Sequence, residues 1–296
     1  MAVSFLRQVG ARYPESVDLG ALMCPSGILV MVDPGYMDMW SGSAEPAPVF
    51  DASDDAATRA RIESAADYFI GGKDGAAVAK MADLQSFHFI YDIPPDGAEK
   101  IIQRIAGLSS EHGLDAHLER EPRRIPHRER AQRVADLGGG DFVMQGPWVA
   151  VVGGLLRDQM RVHAIPHDYG GHVGVRWTEV VVEARSLHVE SSGLIGYIGV
   201  DSGMALLADA DALSLWQHSG HFRYLLEQVE RNPNETGTVE LNAAMLLGLS
   251  TSWGDGAFPV LLDRGANGEV VAVRIVFGDE KRRQMMEQVW ERAAHA

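Results

Sequence analysis

Ser26-Gly27-Ile28-Leu29-Val30-Met31-Val32-Asp33, with Trp40 further on, decides how this chain is read, because the pattern recurs as Ser202-Gly203-Met204-Ala205-Leu206-Leu207-Ala208-Asp209 with Trp216. Each of the four identities stands 176 residues from its partner. A spaced repeat constrains architecture before any single side chain is interpreted, and here it predicts two related modules. A short apolar run between a Gly turn and an Asp has the length of one strand. An Asp at its end suits the turn that follows, because its carboxylate accepts from nearby backbone N–H groups.

The later halves of the modules extend the comparison. Gly146-Pro147-Trp148-Val149-Ala150-Val151 predicts a strand pair that continues through Met160 to Ile165, and Ala257-Phe258-Pro259-Val260-Leu261-Leu262 leads through Asn267-Gly268 into Val270 to Phe277. Asn-Gly between β-branched runs is a strong hairpin signal, since both residues accept the positive φ of a primed turn. Matching Trp148 to Phe258 leaves about 66 extra residues in the first module, assigned to an insertion near 51–124. Within it Phe87 to Ile93 reads as a strand, Pro94 to Leu108 as a helix and Leu114 to Glu119 as a second strand.

The predicted fold is therefore α+β and β-rich: two pseudo-repeated modules around a shared sheet core, with a small α/β insertion in the first. Residues 1–50 and 125–190 form the first module, 51–124 the inserted lobe, and 191–296 the second module. Strands over Thr178 to Ala184 and Leu194 to Val200 join them, and Glu280 to Ala293 reads as a terminal helix with Met285, Met286, Val289 and Trp290 on one side. That stripe suits core packing or a contact with a second copy.

A net charge of −15 sets up a field that repels phosphate, so nucleic acid and anionic membranes are poor partners. With 46% hydrophobic residues, no run of ~18 apolar residues and no signal-like N-terminus, a cytoplasmic globular protein is expected. Lone Cys24, in apolar surroundings, reads as a buried small hydrophobe rather than a nucleophile. One segment opposes the average charge: Arg120, Arg123, Arg124, Arg128, Arg130 and Arg133. Because Glu119, Glu121 and Glu129 are interleaved, a solvated linker or ion-paired helix face is the simpler reading, with an anion or acidic-partner patch as the alternative.

Candidate chemistry is sparse. His163, His167, Asp168 and His172 supply metal-type donors, but their spacing matches no ligand motif, and Pro166 with Gly170-Gly171 predicts a loop. No metal or cofactor is expected. His218-Ser219-Gly220-His221 opens a helix predicted from His221 to Glu230, with Ser219 as its cap. Asp263 to Gly268 resembles a calcium loop until position twelve, where Arg274 stands instead of Glu, and the Gly138 and Gly153 runs lack the Lys and strand-to-helix context of a phosphate cradle. The remaining candidates are the acids Asp33, Asp201, Asp209 and Asp255, which would act as an acid/base pair if the modules brought them together. Trp40, Trp216 and Trp253 are candidates to line a ligand cleft.

Val200-Asp201-Ser202-Gly203 with Asp209, Gly254-Asp255-Gly256-Ala257-Phe258-Pro259-Val260, the terminal strand Val271 to Phe277, and Asp33-Pro34 resemble an uncharacterised, mainly bacterial family classed only as a domain of unknown function. The resemblance covers residues 190–278 well, and 20–50 and 140–185 in part. It implies a two-module β architecture and no activity, so no residue role follows from it. In the first hairpin Gly146-Pro147-Trp148-Val149 departs from the aromatic-Pro-Val order, and the insertion is foreign to the family.

Two functions remain in view. The first is a non-enzymatic binding protein, an inhibitor or immunity-type partner of a basic protein, since an acidic field speeds association with a cationic surface. The second is a hydrolase or related small-molecule enzyme using Asp201, Asp209 or Asp255 between modules, with or without a metal at the histidines.

Overall fold

The computed structural model describes residues 15–82, 89–171, 173–278 and 281–285. The chain begins with β1 (Val17–Met23) and β2 (Leu29–Val32), then a 3-10 turn, Pro34–Tyr36. Next come α1 (Ala56–Glu63), β3 (Ala66–Gly71), α2 (Gly75–Met81), β4 (Phe89–Ile93), α3 (Pro95–His112) and β5 (His117–Arg120). After α4 (His127–Asp136) the strands run β6 (Gly140–Val143), β7 (Trp148–Val152), β8 (Gln159–Asp168), β9 (Val175–Glu183), β10 (Ser191–Val200) and β11 (Met204–Asp209). A second 3-10 turn, Ala212–Leu215, leads to α5 (His218–Arg231), β12 (Thr236–Leu241), β13 (Ala244–Ser250), β14 (Gly256–Arg264) and β15 (Val270–Val276).

Twelve strands make one large sheet, ordered β10-β14-β15-β9-β8-β1-β13-β11-β2-β7-β6, with β12 paired to β13. It curls until it is nearly closed. At the seam the Asp141 carboxylate on β6 accepts from the Tyr197 N–H on β10 at 2.8 Å. A Cβ at Gly196 would lie 2.5 Å from that carboxylate, so only Gly lets the two edges meet here. The strands β3, β4 and β5 form a separate sheet of order β4-β3-β5, covered by α2 and α3 through Ile70, Val78, Ala79 and Ile105.

Side-chain alternation assigns each central strand two buried faces. Leu29, Met31, Ala205 and Leu207 point into the interior with Leu247, Phe258 and Ile275. Their neighbours Val30, Val32, Leu206 and Ala208 pack outward beneath α4 and α5, against Val134, Leu225 and Val229. This double burial explains why both repeat strands are continuous apolar runs instead of alternating ones. Truncating Leu207 to Ala there would cost about 2–5 kcal/mol.

Several expectations hold locally. The Asn267-Gly268 hairpin forms as β14 and β15, and strands over Thr178 to Ala184 and Leu194 to Val200 appear as β9 and β10. The strand, helix and strand read after residue 87 appear as β4, α3 and β5, although Phe87 and His88 lie outside the described residues. Of the predicted terminal helix, 281–285 are helical with Met285 exposed, while Met286, Val289 and Trp290 lie outside the described residues. No helix among the described residues is long and apolar enough to cross a membrane.

Three expectations fail. The strands at Trp148 and Met160 do not pair: β7 lies between β2 and β6, whereas β8 lies between β1 and β9. The link between them explains this, because buried Leu155 packs into the interior and its N–H bonds to the Gly27 carbonyl, carrying the chain across instead of turning it back. Met160 to Ile165 is strand as expected, but the strand runs on through Pro166 to Asp168 where a loop was predicted, with Pro166 accommodated at a register shift. The helix after Trp216 starts three residues early, at His218: the His221 ring, not Ser219, accepts the Gln217 N–H at 2.8 Å and covers its first turn.

Candidate functional site

The repeat strands β2 and β11 pair antiparallel, with Met31 opposite Leu207 and Leu29 opposite Asp209. This pairing brings the Ser of each repeat to the Asp of the other. Asp33, fully buried, accepts from Ser202 N–H and Oγ–H at 2.8 and 2.6 Å and from Asp201 N–H at 2.7 Å, in addition to its own turn's Gly35 N–H at 2.7 Å. Asp209, also buried, accepts from Ser26 N–H and Oγ–H at 2.8 and 2.6 Å, and from Asp211 and Ala212 N–H. The Gly after each Ser adopts a left-handed φ, 76° at Gly27 and 70° at Gly203, which turns the chain into its strand. Several charge-assisted bonds to each carboxylate offset the cost of burying it.

The antiparallel pairing also separates the two acids. Asp209 faces Leu29, four residues before Asp33, so they stand roughly 13 Å apart along the sheet. Beside Asp209 the buried Cys24 thiol is pushed well above its usual range by burial, with the carboxylate's charge adding to it. Asp33 instead meets Asp201, whose exposed carboxylate accepts from the Tyr36 hydroxyl. That bond, then partial burial and the charges of Asp201, Asp33 and Asp255, push the Tyr36 phenol up to about 12. Three of the four candidate acids therefore gather at one end of β2, and Asp209 sits at the other.

Next to Asp201 lies an open groove of about 700 Å³, bordered by Tyr36, Met39, Asp51, Asp54 and Trp148. Its lining carries three carboxylates and neither Lys nor Arg. The guanidinium of Arg59 is close by but bonds to the Asp54 and Asp51 carbonyls, and Arg282 lies over the Phe258 ring with one nitrogen on the Ala257 carbonyl. The groove thus offers carboxylates above an aromatic and thioether floor. Such a surface suits a cation with an apolar stem.

The tryptophans do not form a common cleft. Trp40 and Trp216 pack on the outer core, Trp40 near the His127 ring and Trp216 near His221, while Trp253 is buried inside, its Nε1 donating to the Trp177 carbonyl at 2.8 Å. The histidine stretch disperses similarly: His163 is buried in β8 and His167 and Asp168 are exposed, with His172 outside the described residues. Among the described residues no three metal-type side chains are grouped to hold an ion. Arg274, standing where a calcium loop needs Glu, is instead the ion-pair partner of Asp263 at 3.1 Å.

The arginine-rich segment is ion-paired, and more deeply than its composition suggests. Arg130, fully buried on α4, pairs with Asp92 at 2.5 Å and Asp67 at 3.1 Å, and Arg124 joins it on Asp92. Arg133 pairs with Glu121 and Glu129. Burial raises the Asp67 carboxyl despite the Arg130 charge beside it, whereas the Arg130 and Arg124 contacts hold Asp92 below its usual range although burial opposes them. His127 is buried next to this cluster. Desolvation first, then the Arg130 charge, lowers its imidazole to about 3, so it is neutral and its Nδ1 accepts the Ser41 N–H at 2.9 Å.

Sequence reasoning missed Tyr36, Asp51 and Asp54, the Asp67–Arg130–Asp92 cluster and the His127–Ser41 contact. For Tyr36 a signal existed, the Asp33-Pro34-Gly35-Tyr36 turn that carries it to the strand end. Compared with known proteins, the chain matches no family model, and no curated protein or solved structure matches it.

Proposed function

We propose that this chain is a non-enzymatic binding protein, an inhibitor or immunity-type partner of a basic protein, which receives a cationic segment in the groove between Tyr36, Asp51, Asp54 and Asp201. One observation carries the reading: three groove carboxylates have no cationic side chain among the lining residues. A net charge of −15 supports it, since the same field that disfavours phosphate accelerates encounter with a basic surface. The test is parallel capture from a lysate of the source organism by wild type and by an Asp51→Asn, Asp54→Asn, Asp201→Asn variant. A basic protein retained by wild type at low salt, released by salt and absent from the variant is expected. The same proteins captured by both would overturn the assignment.

The scaffold in this reading consists of two copies of one unit, strand, 3-10 turn, helix and hairpin, joined by the reciprocal Ser–Asp bonds. The sheet register supports a different hairpin match from Trp148 with Phe258. Met31 and Leu207 stand 176 residues apart, but their strand neighbours Ala150 and Leu247 stand only 97 apart. β6 and β7 then correspond to β12 and β13, and the first copy carries 79 additional residues, not 66. The small sheet lies within that stretch.

The gathering of Asp201 and Asp255 near Tyr36 favours a second reading, an enzyme using these acids without Asp209. It requires that Asp201→Ala or Asp255→Ala abolish an activity found by screening the wild-type protein. Wild-type rates in both variants would eliminate it.

A further inference from the structure

A broader cleft, of about 890 Å³, lies on the outer face of the large sheet and shares no lining residue with the acidic groove. Strand register sets its floor. β1 and β8 pair with Ala21 opposite Arg161 and Asp18 opposite His163, and β8 and β9 pair with Arg161 opposite Glu183. Met160 and Val162, on either side of Arg161, belong to the interior, so alternation turns Arg161 outward with Ala21 and Glu183 into the cleft that all three line. Asp18, opposite His163, shares that face and also lines the cleft. Leu156, Leu187 and Met245 form an apolar wall, in which Leu187 is 44% exposed.

Opposite charges line this cleft without meeting. Arg161 is only partly buried, and its guanidinium makes no hydrogen bond or ion pair among the described residues, although register sets it opposite one carboxylate and diagonal to another. Arg185, also partly buried, places one nitrogen on the Val270 carbonyl at 2.7 Å and pairs with no carboxylate among the described residues. Exposed Asp18 accepts the Gly20 N–H through Oδ1 at 2.8 Å, which leaves Oδ2 for solvent or a ligand. Glu183 is buried and already engaged, so it does not count among the open groups. Closing an exposed ion pair contributes only about 0–1 kcal/mol, so Arg161 and Asp18 stay open at little cost.

Charge and size decide the ligand class. A ligand carrying only negative charge would meet Asp18, Glu183 and the field of a chain with net charge −15, and one carrying only positive charge would meet Arg161 and Arg185. A zwitterion satisfies both sets. Asp18 and Arg161 are diagonal neighbours on adjacent strands, roughly 7–8 Å apart at the backbone. The terminal charges of an extended dipeptide stand about 7 Å apart, at ~3.5 Å per residue, whereas those of a single amino acid are adjacent. The volume falls within the ~300–1,000 Å³ typical of ligand pockets, and a lone amino acid would leave most of it to water. We infer that this cleft binds a short zwitterionic peptide with apolar side chains: its carboxylate on Arg161, its ammonium on Asp18, and its side chains against Leu156, Leu187 and Met245. This inference does not depend on the groove reading.

The test is isothermal titration calorimetry of the full chain with leucyl-leucine, its N-acetyl derivative, which lacks the ammonium, and its C-terminal amide, which lacks the carboxylate. Saturable binding of leucyl-leucine at millimolar concentration is expected, with each capped peptide at least about tenfold weaker for the loss of one charge-assisted bond. Arg161→Met keeps the stem and removes the guanidinium, so it should weaken leucyl-leucine about tenfold and leave the amide unchanged. Asp18→Asn keeps an acceptor for the Gly20 N–H and should weaken leucyl-leucine while leaving the acetyl peptide unchanged. The three peptides are compared on the wild-type protein, so a variant that fails to fold leaves the test intact. Three results would overturn the inference: no saturable binding of leucyl-leucine, either capped peptide bound as tightly as the free one, or both variants weakening all three peptides alike.

Discussion

His127 offers a prediction whose sign and size both follow from the structure. Its imidazole is fully buried and lowered from 6.5 to about 3, by desolvation and then by the Arg130 charge. In the unfolded chain the ring titrates near its ordinary value. Between the two values the unfolded state binds a proton that the folded state refuses, so stability is complete above about pH 6.5 and falls as pH drops. The loss is about 1.4 kcal/mol per pH unit, which accumulates to roughly 2–3 kcal/mol by about pH 4.5 and levels off only near the folded value. His127→Asn places an amide oxygen near the position of Nδ1, retaining an acceptor for the Ser41 N–H, and cannot titrate. Removing the ring lowers its overall stability, but the comparison is of slopes. Urea unfolding at stepwise pH should show wild type losing stability between about pH 6.5 and 4.5 more steeply than the variant, by about the amount above. Equal slopes would refute the claim that a neutral imidazole is enclosed at this position.

Other consequences follow from the same packing. Asp33→Asn should cost about 3–5 kcal/mol in denaturant unfolding, because one carboxamide cannot accept from all of Gly35, Asp201 and Ser202, and its own N–H₂ must face a donor. Arg130→Met should cost about 3–5 kcal/mol, because it leaves Asp67 and Asp92 buried without their shared cation; unchanged stability would mean that the cluster is hydrated. Gly196→Ala should push Asp141 off the Tyr197 N–H and open the sheet at its seam, which hydrogen exchange would register as faster exchange at Tyr197 with slower exchange retained in β11.

What the sequence revealed and what it concealed divide along the range of the interactions. The Asn267-Gly268 turn and the apolar runs at Leu29 and Leu206 are local, and each forms the predicted strand. The repeat also marked four residues that all hold the same two strands. Strand partnership was not readable: Trp148 and Met160 are close in sequence, yet β7 pairs with β2, more than a hundred residues earlier, because of where Leu155 packs. The Arg130 cluster was hidden for the same reason, since Asp67 and Asp92 are remote in the chain and nothing nearby distinguishes them from surface acids. The candidate groove draws on six separate segments, and of its acids only Asp201 stood in a recognisable pattern. Asp33 and Asp209 stood out in sequence because they are used in construction. Exposed Asp51 and half-buried Asp54, whose carboxylate accepts from the Asp51 N–H within their own loop, did not stand out at all.

The central claim is that each Ser of the repeat is held by the Asp of the other copy. Double-mutant cycles measure this directly, with Ser26→Ala against Asp209→Asn, Ser202→Ala against Asp33→Asn, and Ser26→Ala against Asp33→Asn as the within-copy control. Coupling of about 1–3 kcal/mol in both cross-copy cycles, with additivity within about 0.5 kcal/mol in the control, is predicted. Additive cross-copy cycles, or coupling between Ser26 and Asp33, would contradict it.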